Sequence, residues 1–485
     1  MSYRNMKTRY KLLALSLVVL VFSGCKKFLD KSYDNRISPT LTEHFAQLMT
    51  DGYPLRHELF TDILTDDYQY YATLAQASIN DRFLPMYLYK DEYPQNIPTG
   101  PENAYTEFYA KIYRANLVIE GVLKSERGSD SYKSAVMGEA LMVRAYCHFL
   151  LVNLFGQHYD KATAATDLGV GIVTTVSKEN QVLVKRSTVQ EVYDQIEKDA
   201  VAGLNYMKKG EADQSKNPYH FSLASAYAFM TRLKLYKGEW EEAVKYADEV
   251  IKIKGRTTRN LAADLALISQ FSREYYATMY MDPPSHPNIL LSSYSTNLSV
   301  LTPTGYTLCG FFPTDQLRGT FTNTDRRRTL LIAVGTVIDN QVVATKYNTQ
   351  PNNPNSFVRT AHFTTDEVLL NRAEAVLRST AGTVEDALAD VNVFRAARYT
   401  TYTPIAAADV TKEQLLAIVM DERRKEFLNE GLRWFDVKRL KVKVEHVLGR
   451  GLPVAATLEA TDLKKALQIP LTEQLGNPGI QLNPR

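Results

Sequence analysis

The stretch SAVMGEALMVRAYCHFLLVNLFG, residues 134–156, limits the folds open to this chain more than any other. It is long enough for about six helical turns. Cys147 and His148 lie inside its most apolar part, so a buried free thiol and a core histidine are expected there, not metal ligands. Just before it, NAYTEFYAKIYRANLVIEGVL (103–123) places Phe108, Ile112 and Leu117 at helical spacing, which gives a first helical pair. TVQEVYDQIEKDAVAGL (188–204) opens on Ser187 or Thr188 as N-cap, with Glu191 placed for a capping box. Residues 217–252 read as a helix, a turn at Gly238 and a second helix. That turn, Gly238-Glu239-Trp240-Glu241-Glu242-Ala243, recurs in form at Gly382-Thr383-Val384-Glu385-Asp386-Ala387, after DEVLLNRAEAVLRST.

The recurrence resembles a tetratricopeptide hairpin, in which glycine permits the tight turn and a small alanine lets the two helices approach. The expected class is therefore mainly α, with tetratricopeptide-like helix pairs over about 101–254 and 363–447. Between about 255 and 362 the helical signal fades into Ser, Thr, Pro and Tyr with short apolar bursts such as NILLSSY. VGTVIDNQVVATKY (334–347) holds Asp339-Asn340 between β-branched runs, a short-hairpin pattern. This loop-rich lobe with short strands is where function is expected, because long loops in a compact protein usually carry it.

The N-terminus reads as an address. Arg4, Lys7, Arg9 and Lys11 precede the apolar run Leu12–Phe22 and the small pair Ser23-Gly24, a secretory signal too short to span a bilayer comfortably. VFSGC resembles a bacterial lipobox, with Cys25 as the lipidated new N-terminus and residues 25–38 as a tether. The signal carries four basic and no acidic residues, so the formal charge of +3 becomes −1 once 1–24 are removed. A nearly neutral chain lacks the basic footprint of a nucleic-acid binder. With Cys147 and Cys309 the only other cysteines, no disulfide framework is available, and residues 39–485 are read as a single domain held by its own core.

DERRKEFLNEGLRWFDVKRL (421–440) is the most informative stretch. With Ile418, the acids Glu422, Glu426 and Glu430 follow i, i+4 spacing, and such a stack of like charges requires cations. Arg423, Arg424, Arg433, Lys438 and Arg439 are the nearby supply; Gly431 can end the helix, and Asp436 sits where it could cap the next one. Paired glutamates can serve a glycosidase, but acids interleaved with arginines stay ionised and lack the unequal pKa values catalysis needs. A buried structural ion-pair network is expected.

Glu422-Arg423-Arg424-Lys425-Glu426-Phe427, Glu430-Gly431, Arg433-Trp434-Phe435-Asp436 and Arg439 resemble the C-terminal signature of SusD/RagB-like outer-membrane nutrient-binding lipoproteins. In the same order along the chain come CKKFLD, Arg144-Ala145-Tyr146, Arg186-Ser187-Thr188-Val189, Phe312-Pro313-Thr314, Asp325-Arg326-Arg327, Leu370-Asn371-Arg372-Ala373-Glu374, Asn392 with Arg395, and Ile469-Pro470. The resemblance covers nearly the whole mature chain. It implies a lipid-anchored protein on the outer membrane, facing the cell exterior as the lid of a SusC-like TonB-dependent transporter. The cargo so implied is an oligosaccharide or polysaccharide, or a peptide in the RagB-like branch.

Composition suits binding: the chain has 30 Tyr and 2 Trp. Tyrosine offers a ring face for sugar C–H groups and a hydroxyl for polar contacts, at little rotamer entropy. The densest clusters, DDYQYY and REYYATMY, nominate Asp66, Asp67, Tyr68, Tyr70, Tyr71, Arg82, Tyr275, Tyr276 and Tyr280 as ligand-binding residues. No GxSxG, HExxH, P-loop or EF-hand pattern is present, so no enzyme, metal or cofactor is expected. The other reading is a helical scaffold that binds only its protein partner.

Overall fold

The computed structural model describes residues 39–72, 75, 83–91, 100–177, 183–271, 282–295, 310–333, 343–344 and 358–485. Cys25, Arg82, Tyr275, Tyr276, Tyr280 and the Asp339-Asn340 turn lie outside the described residues.

Helices dominate. Helix α1 (Thr42–Thr50) precedes α2 (Pro101–Gly121) and α3 (Asp130–Phe155), the apolar segment that opened the sequence reading. Every residue of α3 from Ser134 to Phe155 is buried, so its membrane-compatible length and apolarity serve a core helix. It packs between α2 and α4 (Val189–Lys209). Thr188 is the N-cap of α4: its hydroxyl accepts from Glu191 N at 3.2 Å while Glu191 Oε2 accepts from Thr188 N at 2.8 Å, closing the expected capping box.

The predicted hairpin is α5 (Leu223–Lys237) and α6 (Trp240–Lys254), which pack on each other. Gly238 ends α5 in the left-handed conformation at φ +74°. The second pair is α10 (Thr365–Arg378) and α11 (Val384–Arg398), and α10 also packs on α6, so the two hairpins stack. Gly382 fills its turn for another reason: a Cβ there would lie 1.9 Å from the Val376 carbonyl oxygen. Helix α12 (Lys412–Glu426) packs on α10, and α13 (Leu432–Arg439) follows.

The lobe between 255 and 362 is less irregular than expected, for it contains α7 (Leu261–Phe271), α8 (Asp315–Thr320) and α9 (Arg326–Leu331). Its strands form small antiparallel pairs. Strand β1 (Tyr68–Tyr70) pairs with β3 (Phe311–Pro313), and β2 (Ile289–Ser295), which contains NILLSSY, pairs with β6 (Val358–Thr364). Ile332 and Ala333 in β4 (Ile332–Ala333) face Ala344 and Val343 in β5 (Val343–Ala344), so β5 inside the predicted hairpin region pairs with residues just before it. A fourth pair joins β7 (Val444–Val447) and β8 (Val454–Leu458). Residues Thr40–Arg485 form one compact unit.

Candidate functional site

The acidic stripe on α12 ends with the helix at Glu426. Asn429 and Gly431 then take positive φ (62° and 69°), so Glu430 does not continue the stack; its backbone carbonyl accepts from the Arg56 guanidinium. Gly431 stands as the N-cap position of α13, and Asp436 sits within that helix instead of capping it.

The network is buried as expected, but the guanidinium groups nearest Glu422 and Glu426 come from outside the motif. Arg327 binds Asp325 at 2.8 Å, Glu426 at 3.2 Å and also Glu422. Arg398 forks onto Glu426 at 2.9 and 2.8 Å and reaches Asp366 at 2.6 Å. Of the motif cations, Arg439 joins Asp436 at 2.7 Å to Glu374 at 2.8 Å, with Arg423 3.4 Å from Asp436. Lys438 takes no part in it: it donates to the carbonyls of Asn153 and Gly156, at 2.7 Å for the latter, closing the C-terminal end of α3. Burial pushes the Glu422 and Glu374 carboxyls up, but arginines outweigh it and hold both below the ordinary range. These acids therefore stay charged together, which suits a structural lock and not an acid/base pair.

The first predicted ligand cluster is docked on this lock. Asp66 receives two parallel bonds from Arg433, 2.9 and 2.8 Å, and lies 3.1 Å from Arg424, which also holds Asp67 at 2.5 Å. Burial is opposed at Asp66 by these arginines, and its carboxyl falls below the ordinary range; Asp67, enclosed and beside the Asp66 charge, is pushed up. Tyr68, Tyr70 and Tyr71 are only 1%, 2% and 6% exposed. Tyr68 OH accepts from Asn429, Tyr70 packs 5.1 Å from Phe311, and Tyr71 stands edge-on to Phe312 at 5.7 Å. These rings offer no open face to a ligand here, because β3 pairs with β1, Asn429 caps the Tyr68 hydroxyl and Phe312 meets Tyr71.

The most exposed described aromatic ring belongs to Tyr294, 58% exposed near the end of β2. Tyr219 meets it edge-on at 5.4 Å and is itself partly exposed. Neither was nominated from sequence. The available signal was local: NILLSSYS is a strand whose first apolar residues are core, so a tyrosine at its far end can emerge at a rim. Among the described residues, no three His, Cys, Asp or Glu side chains are grouped to hold a metal ion.

Comparison with known proteins agrees with this architecture. Residues 27–235 match a family described as starch-binding and associating with the outer membrane, and residues 300–469 match the SusD family. A SusD superfamily protein from Bacteroides thetaiotaomicron is 23% identical, with TM-score 0.73 over 92% of this chain and 100% of its own. Surface glycan-binding protein A from Bacteroides uniformis is 17% identical, with TM-score 0.70 over 91% and 99%. A SusD-like carbohydrate binding protein from Bacteroides vulgatus is 15% identical, with TM-score 0.68 over 91% and 97%. No curated protein sequence matches. The first match runs from the N-terminal helices into α5, the second from within the lobe through the second helical pair and the 422–439 lock, and this chain belongs to the SusD/RagB family.

Proposed function

We propose that this protein captures oligosaccharide or polysaccharide nutrients at the cell surface, held to the outer membrane by lipid on Cys25, and hands them to a SusC-like TonB-dependent transporter. The observation that carries the glycan reading is the Tyr219–Tyr294 pair, whose Tyr294 ring is the most exposed among the described aromatic residues. Ring faces of this kind pack on sugar C–H groups while the hydroxyls reach sugar oxygens. The solved relatives include proteins named for carbohydrate or glycan binding. Peptide capture is the second reading, favoured by a carboxylate-lined cleft described below.

Affinity electrophoresis across a polysaccharide panel tests the first reading. The protein is expected to be retarded by at least one glycan without cleaving it, and Tyr294→Ala to lose most of that retardation with an unchanged melting temperature. Retardation that survives both Tyr294→Ala and Tyr219→Ala would move the site elsewhere, and a blank panel beside peptide binding would replace the reading itself.

A further inference from the structure

An open cleft of about 400 Å³ lies between α1, α3 and the turn after α4. Glu43, Tyr132, Glu139, Asp213, His220 and Phe221 line it, and no lysine or arginine does so among the described residues. Glu139 is the inner anchor, 9% exposed. Its Oε1 accepts from Tyr53 OH at 2.6 Å and lies 2.6 Å from His220 Nδ1. Tyr53 is fixed in turn, since its OH accepts from Phe221 N at 2.5 Å and its ring stands edge-on to His220 at 5.6 Å. Both hydrogen bonds thus fall on one oxygen. Among the described residues no donor bonds Oε2, which remains accessible from the cleft.

The field of this space is negative on balance, three carboxylates against His220, whose imidazole burial pushes down and Glu139, outweighing burial, pushes up. Burial, then the charges of Glu43, Glu139 and Asp213, push up the Tyr132 hydroxyl. Those carboxylates are nevertheless too dispersed to ligate one ion, for no metal-holding group is present among the described residues. A charge borne on a flexible organic ligand fits better, because its methylenes can lie on Ala46, Ala135 and Val136 while its head reaches Glu139. We propose that this cleft binds a protonated primary amine on an aliphatic arm, of the kind a lysine side chain carries, with Glu139 as its charge partner. Different elements build the tyrosine pair and this cleft, so the proposal stands whether or not the glycan reading does.

Calorimetric titration of the full chain with Nα-acetyl-lysine methylamide tests it, beside the norleucine analogue, glucosamine and calcium chloride. Saturable binding of the lysine derivative is expected, with the norleucine analogue, glucosamine and calcium each at least about tenfold weaker, the ratio a lost charge-assisted hydrogen bond produces. Glu139→Gln should weaken binding by a similar factor. Glu43→Gln and Asp213→Asn, at exposed positions that leave the core intact, should each weaken it severalfold. Equal affinity for the lysine and norleucine derivatives, tighter binding of glucosamine or calcium, no saturation, or unchanged affinity in the Glu43 and Asp213 variants would each overturn the proposal.

Discussion

Asp436 is 4% exposed and still carries its charge. Burial alone would raise its pKa, but Arg423 and Arg439 outweigh burial and hold it at about 2, against an ordinary 3.8. A carboxyl whose folded pKa lies below its unfolded value stabilises the fold fully above the unfolded pKa and loses that contribution as pH falls through the folded one. For Asp436 the window is therefore pH 4 down to 2, worth about 2 kcal/mol. Glu422 and Glu374, also held down by arginines, add to the same acid limb. Urea unfolding at stepped pH should show stability falling across that window, with a shallower fall in Asp436→Asn; an identical slope in the variant would remove Asp436 from the account. The acids of this lock were legible in the sequence, whereas their partners were not. Helical spacing sees only its own helix, and Arg327 and Arg398 answer Glu422 and Glu426 from 95 and 28 residues away.

At the scale of elements, the two glycine turns look alike in sequence and differ in cause. Gly238 has φ +74° and room for a Cβ, the nearest atom being Trp240 Cζ2 at 3.5 Å, so alanine there costs only the left-handed backbone, about 1 kcal/mol. At Gly382 a Cβ would overlap the Val376 carbonyl oxygen at 1.9 Å, and the chain must move. Overpacking of that sort costs about 1–3 kcal/mol. Gly382→Ala is therefore expected to lower the urea midpoint more than Gly238→Ala does; the reverse order would mean that the second turn relaxes freely. The helical pairs themselves were readable because their apolar period and caps are local. Helices α8 and α9 and strand β6 were not, since such short segments gain their structure from the partners they dock on, as β6 does from β2; α7 is longer and apolar but lies in a stretch read as loop.

At the scale of the whole molecule, tyrosine density in DDYQYY did not mark exposure. Tyr68 and Tyr70 lie in a fully buried strand with Tyr71 buried just after it, while the most exposed described ring, Tyr294, stands near the end of another strand. The proposed capture also needs retention at the membrane, and in the packed unit Thr40–Arg485 the one described helix long and apolar enough to cross a bilayer is buried. On the proposed reading retention rests on lipid at Cys25, since two or more acyl chains make attachment stable and a single chain only marginal. Binding and anchoring should accordingly separate. Cys25→Ala protein is expected to leave the membrane fraction while keeping its full affinity for the retained polysaccharide, and Tyr294→Ala to stay membrane-bound while losing that affinity. Fractionation followed by affinity electrophoresis reads both, and a Cys25→Ala protein that still sediments with membranes would show that the tether is not what holds it there.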